Sequence, residues 1–203
     1  MTRNQASSAG AEGTARSSAG LESWLSTNKT SGGTGIAQTT PGFASGDTVA
    51  PTDSTVLGTF LKAHLDAVIQ ACWTQGGNPT TIMVGPRNRG IISSMAGIST
   101  LQTDANSNQD ITLIGGVDFY KSNFGILKVV PNRFQRDETA FVLDMDFLAI
   151  GMLDEMELTP LAKTSDSDAA LLVTEYTLEV RNEAASGKVT DLIVTESQLP
   201  LLE

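Results

Sequence analysis

The most regular pattern in the chain is an alternation of apolar and polar side chains between residues 172 and 181. Successive residues fall on opposite faces: Leu172, Thr174, Tyr176, Leu178 and Val180 lie on one face, and Glu175, Thr177, Glu179 and Arg181 on the other. A period of two predicts a half-buried β-strand and excludes a helix. The pattern breaks at residues 184–187 and resumes over residues 188–194, which predicts a second extended segment.

A different periodicity predicts a long helix over residues 54–75. Apolar residues recur there as adjacent pairs every four residues, which places them in one wide stripe along a helix. The stripe contains Val56, Leu57, Phe60, Leu61, Leu65, Val68, Ile69, Cys72 and Trp73, with His64 inside it. We expect this stripe to be buried against a sheet that contains strands near residues 80–84, 125–130 and 139–144.

Residues at both ends of this segment support the helix. N-cap side chains are available at Thr52, Asp53 and Ser54. The pair Gly76-Gly77 provides a C-cap, and Asn78-Pro79 prevents the helix from continuing.

The remaining segments complete a mixed order of helix and strand. We expect a short helix over residues 87–95, extended segments over 111–120 and 125–130, and a turn at 123–125 between them. Residues 145–153 are compatible with a strand or a short helix. Residues 27–49 carry many glycines and prolines and should form a loop with little regular structure. This order predicts an α+β fold.

Composition excludes several classes of function. Thirteen basic residues against 23 acidic ones give a net charge of −10, and no two basic residues are adjacent. A specific nucleic-acid surface needs clustered Lys and Arg, so none is expected. Cys72 is the only cysteine, which excludes an internal disulfide. No apolar run approaches the roughly 20 residues that span a bilayer, so no membrane partner is expected.

Candidate catalytic and metal-ligating residues are few. On the predicted helix His64 and Cys72 lie two turns apart, too far for a hydrogen bond, so we expect His64 to be a buried packing residue. Asp144 and Asp146 share a strand face, but acids at strand ends usually form turns. The sequence therefore predicts no catalytic, cofactor-binding or metal-binding residues.

Three short motifs resemble known binding or modification sites in local sequence only. Residues 104–110 imitate the start of a calcium loop, but Gln109 and Gly115 stand where the loop needs Gly and Glu. Gly187-Lys188 lacks the glycine spacing of a phosphate-binding loop. Asn28-Lys29-Thr30 spells a glycosylation site without any sign of a secretory context.

The order of several motifs resembles a known family. One run of elements is similar to the axial domain of tailed-phage major capsid proteins of the Hong Kong 97 type. It consists of the helix at 54–75, Gly-Gly-Asn-Pro, a strand with Ile-Met-Val, Gly-Pro-Arg-Asn and a short helix. Residues 122–133, 140–144 and 175–185 extend the resemblance. Residues 4–7, 14–16 and 19–28 look like the region after the long spine helix in a podovirus-like branch. The resemblance covers nearly the whole chain.

The resemblance implies a structural coat protein with no active site and no cofactor. Such subunits form hexamers and pentamers that build an icosahedral head around the DNA, and they are made in the bacterial cytoplasm. Scaffold, portal or decoration proteins are possible further partners. Residues 48–170 would form the axial domain, and residues 1–47 and 171–203 would belong to the peripheral region. The family's amino-terminal arm, extended loop and spine helix would precede residue 1, so the chain is expected to be the carboxy-terminal portion.

Two other functions remain open on the sequence. A tail or adhesin-like binding module would present a concave pocket with convergent polar groups, whereas a coat subunit would present flat polar edges. A hydrolase would require His64 to be exposed beside an acid.

Overall fold

A six-stranded mixed sheet organises the chain. A computed structural model describes residues 2–33, 42–44, 47–95, 118–163 and 166–193. The helices are α1 (Leu21–Trp24), α2 (Lys62–Thr74) and α3 (Pro86–Ser94), with 3₁₀ turns at Met145–Phe147 and Glu183–Ala185. The strands are β1 (Asn28–Ser31), β2 (Gly42–Ala44), β3 (Asp47–Val49), β4 (Thr81–Val84), β5 (Phe119–Lys121), β6 (Ile126–Pro131), β7 (Ala140–Leu143), β8 (Leu148–Pro160), β9 (Ala170–Val180) and β10 (Gly187–Thr190).

The strand order in the main sheet is β1-β10-β7-β4-β6-β5. Two neighbouring pairs, β1 with β10 and β4 with β6, are parallel, and the other pairs are antiparallel. Strands β2 and β3 form a small hairpin, and β8 and β9 form a separate two-stranded ribbon. The α+β class predicted from the sequence is confirmed.

One face of the main sheet is covered by helices α2 and α3. The helices contribute Leu65, Val68, Ile69, Cys72 and Ile92 to the core, and the sheet contributes Ile82, Val84, Tyr120, Leu127, Val129, Ala140, Val142 and Val189. The predicted packing of the helix on strands near residues 80–84, 125–130 and 139–144 is therefore confirmed. The predicted short helix is also confirmed, and its observed bounds differ by one residue at each end.

The opposite face of the sheet is covered only in part. At β7, Phe141 and Leu143 pack with Leu21 and Leu25 of the amino-terminal segment in a second, smaller core cluster. The first residues of the ribbon add half-buried apolar side chains to this cluster. Toward β6 and β5 the same face is open to solvent.

Helix α2 begins eight residues later than the sequence predicts. The backbone of residues 54–58 forms hydrogen bonds outside a helix: Gly58 N donates to Asp191 O at 2.9 Å, and Ser54 N donates to Asp191 Oδ1 at 2.8 Å. A Cβ at Gly58 would lie 1.6 Å from the carbonyl oxygen of Gly32, so only glycine fits this approach. Pairing with a distant segment therefore overrides the apolar periodicity.

The predicted burial of Trp73 is wrong for this chain. Trp73 is 55% exposed on the outer side of α2, where its ring packs on Phe124 with centroids 5.4 Å apart. The predicted loop over residues 27–49 is also wrong in part. Asn28–Ser31 forms β1, which lies beside β10 at one edge of the main sheet, and a short hairpin follows.

Other expectations are met or lie outside the described residues. The turn at 123–125 is present, and Gly125 adopts a φ of +155° there. Residues 145–153 contain both of the predicted alternatives, because a 3₁₀ turn leads directly into β8. The calcium-like segment at 104–110 and residues 111–117 lie outside the described residues.

Candidate assembly surface

The β8–β9 ribbon is the feature that most clearly lacks a covering layer. Its register pairs Leu148 with Val180, Ile150 with Leu178, Met152 with Tyr176 and Leu158 with Leu172. Side chains directly opposite each other in an antiparallel pair share a face, so these eight residues form one apolar face along the ribbon. It is the face that the alternation of residues 172–180 predicts.

Only the first part of this apolar face is buried within the chain. Leu148, Leu178 and Val180 are half-buried against Phe141 and Leu143 of the main sheet. Beyond them, Ile150, Met152, Leu158, Leu172 and Tyr176 are all exposed. The expectation of a half-buried strand therefore holds for the alternation, but within this chain the distal apolar face is uncovered.

The other face of the ribbon is acidic. The register places Glu179, Thr177 and Glu175 together with Asp154 and Glu157 on that face. Near the base, the hydroxyl groups of Ser18 and Thr177 are hydrogen-bonded at 2.7 Å, which ties the amino-terminal segment to this side. Register shifts between Met152 and Glu157 interrupt the ladder and bend the ribbon there.

A second exposed surface lies on the main sheet. On the face opposite the helices, β5 and β6 present Phe119 paired with Lys128 and Lys121 paired with Ile126. Phe119 is 61% exposed and Ile126 is 64% exposed. Both lysines are also exposed. We call these four residues the open quartet; it combines two large apolar side chains with two positive charges.

A partly buried ion cluster connects the amino-terminal segment to the main sheet. The guanidinium of Arg136 lies 2.8 Å from Glu22, 2.7 Å from Asp53 and 2.9 Å from Glu138. Burial alone would lower the pKa of Arg136, but the hydrogen bond to Asp53 and the surrounding carboxylates raise it. The cluster fixes the segment that carries α1, and with it the cover of the second core cluster.

Lys188 is fully buried on the central strand β10, on the same face as this cluster. Its Nζ donates to the carbonyl oxygen of Glu22 at 2.8 Å. Burial lowers the pKa of Lys188 to about 8, and the negative charge of Glu22 offsets part of that effect. This lysine therefore has a structural role, because it links β10 to α1 from inside the fold.

A shallow groove of about 400 Å³ lies where the amino-terminal segment meets the ribbon. It is lined by Ser8, Arg16, Ser17, Ser18, Leu153, Thr174, Glu175, Tyr176 and Thr177. The side chains in this groove are those of a ribbon edge and a polar loop. In the described part of the chain, no group of three His, Cys, Asp or Glu residues could hold a metal ion. No helix among the described residues is long and apolar enough to span a membrane.

The described residues therefore present two exposed surfaces that contain large apolar side chains, the distal part of the ribbon and the open quartet. Comparison with protein families matches residues 1–193 to the model of the SU10 major capsid protein. The chain belongs to this major capsid protein family. No curated protein matches it. The protein is therefore a structural coat protein of a phage and is not an enzyme, and its place is the capsid of the virion.

The single histidine of this capsid protein is a helix-capping residue. His64 is half-buried, so the expectation that it is largely buried is wrong. Its Nδ1 accepts a hydrogen bond from Leu61 N at 3.4 Å at the start of α2, and burial lowers its pKa. The sequence misplaced the residue in mid-helix because it placed the helix start too early.

The other candidate residues have structural partners. Cys72 is buried in the core, and burial raises the pKa of its thiol to about 12. Asp144 Oδ1 accepts from Asp146 N at 3.2 Å and its Oδ2 accepts from Asn78 N at 2.9 Å, which is the turn-forming role that the sequence suggests. Asn28 is buried, and its Nδ2 donates to Ala184 O at 2.6 Å, so its amide is not presented as a glycosylation site.

Sequence reasoning missed the open quartet. Lys121 and Lys128 are seven residues apart and each alternates with apolar neighbours, which gives no cluster in the sequence. Only the pairing of β5 with β6 brings them together beside Phe119 and Ile126. The signal that was available is the alternation in β6, which predicts one exposed face.

Proposed function

We propose that the chain is a self-assembling subunit of an icosahedral, tailed-phage head of the Hong Kong 97 type that encloses the DNA genome. The observation that carries this proposal is the distal apolar face of the β8–β9 ribbon. Its five exposed side chains include Met152, Leu158 and Tyr176. An isolated two-stranded ribbon is only marginally stable in water, so a face of this kind gains most when a neighbouring subunit covers it.

The charge of the chain fits a shell that contains DNA without binding it tightly. The net charge is −10, and favourable contacts with phosphate would require clustered cations. Synthesis in the bacterial cytoplasm, and contacts with scaffold, portal or decoration proteins, belong to the same proposal.

The domain division is also a proposal. Residues 48–170 would be axial, and residues 1–47 and 171–203 peripheral. Under this division β8 belongs to the axial domain and β9 to the peripheral region, so the ribbon joins the two. The ion cluster of Arg136 with Glu22 and Asp53 would then hold the same two regions together.

The test is assembly in a bacterial host, observed by electron microscopy and sedimentation. We would express the 203-residue chain and a form extended by any residues encoded upstream of it. We expect shell-sized particles, because many copies of an individually weak contact add up to a stable assembly.

A matched pair of variants ties assembly to the ribbon. Leu172 lies on the apolar face and is 56% exposed, whereas the adjacent Leu171 lies on the acidic face and is 49% exposed. We expect Leu172→Glu to abolish particles and Leu171→Glu to leave them intact, with both variants folded. An extended chain that never exceeds a dimer would overturn the coat function proposed here.

A further inference from the structure

The open quartet and the distal ribbon carry charges of opposite sign. The quartet presents Phe119 and Ile126 between Lys121 and Lys128, with no acidic residue among the four. The adjacent acid, Asp118, is engaged by Arg89 Nη2 at 3.0 Å. Between residues 148 and 180 the ribbon contains seven acidic residues and one basic residue, a net charge of −6. Complementary charge favours encounter of two such surfaces and disfavours encounter of like ones.

The size of the ribbon sets an upper limit on the area of the contact. A strand rises about 3.3 Å per residue, so the nine residues from Met152 to Pro160 extend over roughly 30 Å. Strands lie about 4.8 Å apart, so one side of the two-stranded ribbon offers roughly 300 Å² for contact. Such a contact would bury roughly 600 Å² in total, well below the 1,200–2,000 Å² that is typical of a stable pair. One contact is therefore weak, and many repeated contacts are needed for a stable particle.

We propose that the distal ribbon of one subunit lies, by its apolar face, on the open quartet of a second copy of the chain. This inference rests on the proposed assembly function, and it specifies which surfaces meet. The two surfaces are different, so the contact is heterologous, and repetition around an axis can close it into a ring. Leu158, Leu172 and Tyr176 cover Phe119 and Ile126, and the long side chains of Lys121 and Lys128 reach around the edges of the ribbon toward its acidic face.

Cross-linking between single-cysteine chains tests the contact directly. Chains with Ile126→Cys are mixed at high concentration with chains that carry Leu172→Cys, and a short bismaleimide is added. Because each chain carries one introduced thiol, a heterodimer can form only between two copies. The native Cys72 is buried in the core, and its thiol is held protonated, so it does not compete. The matched control replaces Leu172→Cys with Leu171→Cys, which places the thiol on the opposite face of the ribbon.

We expect at least tenfold more cross-linked heterodimer with Leu172→Cys than with Leu171→Cys. A second measurement reverses charge on the quartet: Lys128→Glu should weaken association in sedimentation by about fivefold, because exposed ion pairs are worth up to about 1 kcal/mol. Lys62→Glu, at an exposed cation on α2 on the other side of the sheet from the quartet, should leave association unchanged. Glu155→Lys in the ribbon, combined with Lys128→Glu, should restore part of the loss.

The outcomes separate this contact from the assembly function. Equal cross-linking of the two ribbon positions, or a wild-type chain that remains monomeric at high concentration, would overturn the contact. Shell-sized particles that form without the Leu172–Ile126 cross-link would also overturn it while leaving the proposed function intact. A specific cross-link in a protein that never forms particles would support the contact and overturn the function.

Discussion

Strands β7 and β9 are both rich in apolar residues, yet they lie in opposite environments. All four residues of β7 are buried, because α2 covers Val142 on one side of the sheet and α1 with the ribbon base covers Phe141 and Leu143 on the other. In β9 only Thr174, Leu178 and Val180 are even partly buried. The described part of the chain therefore completes the core around β7 and leaves the apolar face of β9 largely exposed. An apolar pattern typical of a core strand therefore does not show that the strand is buried within its own chain.

The strongest test of this comparison is the same substitution in both regions. Leu143 in the main sheet is 1% exposed, and Leu158 in the ribbon is 65% exposed. We expect Leu143→Ala to lower the free energy of unfolding by about 2–5 kcal/mol, since it leaves a cavity in a packed core. Leu158→Ala should change it by less than about 0.5 kcal/mol. Urea unfolding of the two variants measures both changes in the free energy of unfolding. Similar losses of stability would mean that the ribbon is part of the core.

A second test uses the pH dependence of the buried Lys188. Its pKa is lowered from 10.5 to about 8 in the folded protein, so the folded state disfavours the charged form. The free-energy cost of burying the charged lysine is fully present below pH 8 and is relieved as the pH rises from 8 to 10.5. Relative to Lys188→Met, wild-type stability should therefore rise across that window by up to about 3 kcal/mol. Changes at Cys72 and Tyr120 are common to both proteins and cancel in the difference.

The control for this measurement is Lys128→Met in the open quartet. Lys128 is exposed on the same sheet, so its removal should give a stability difference that does not vary with pH between 8 and 10. Denaturant unfolding at several pH values within this range measures both. A stability difference between wild type and Lys188→Met that does not change with pH would show that Lys188 stays charged inside the fold.

Trp73 gives a smaller effect than its size suggests. A buried tryptophan replaced by alanine typically costs about 3–5 kcal/mol, but Trp73 is more than half exposed and packs mainly on Phe124. We expect Trp73→Ala to cost about 1 kcal/mol, the usual size of an exposed aromatic pair. Thermal unfolding measures it. A loss near 4 kcal/mol would place Trp73 in a core that includes a second molecule.

His64 gives the smallest expected effect. Its hydrogen bond to Leu61 N is long, at 3.4 Å, and the side chain is half-buried. We expect His64→Gln to cost about 0.5 kcal/mol, at the lower end for a helix-capping residue. The same unfolding assay applies. A much larger loss would restore the view that His64 packs in the core.

Local patterns predicted the elements of this fold that have clear boundary residues or a continuous apolar run. Strands β4 and β6 and helix α3 lie within one or two residues of their predicted ends, because each has Gly, Pro or Asn at a boundary, and β7 agrees equally well because its four residues are all apolar. The start of α2 could not be predicted, since it depends on the approach of Gly58 to Gly32 and Asp191. Strand β1 was missed for the same reason: its polar residues form a strand only because β10 lies beside them.

The candidate surface could be predicted only in part. The alternation in residues 172–180 identifies the apolar face of the ribbon, but a sequence pattern does not show which molecule covers that face. The open quartet depends on the pairing of β5 with β6 and on the absence, among the described residues, of a layer over Phe119 and Ile126. Both facts are properties of tertiary structure.

The register shifts in the ribbon have a consequence for the newly made subunit. A long, regular, apolar hairpin with two free edges is the kind of segment that stacks with copies of itself into fibres. The irregular stretch between Met152 and Glu157 twists the strands away from a flat template, and Asp154, Glu155 and Glu157 concentrate negative charge at the same place. Bulges and like charges are devices that disfavour edge-to-edge pairing. The same few residues thus disfavour edge-to-edge pairing between ribbons of separate chains.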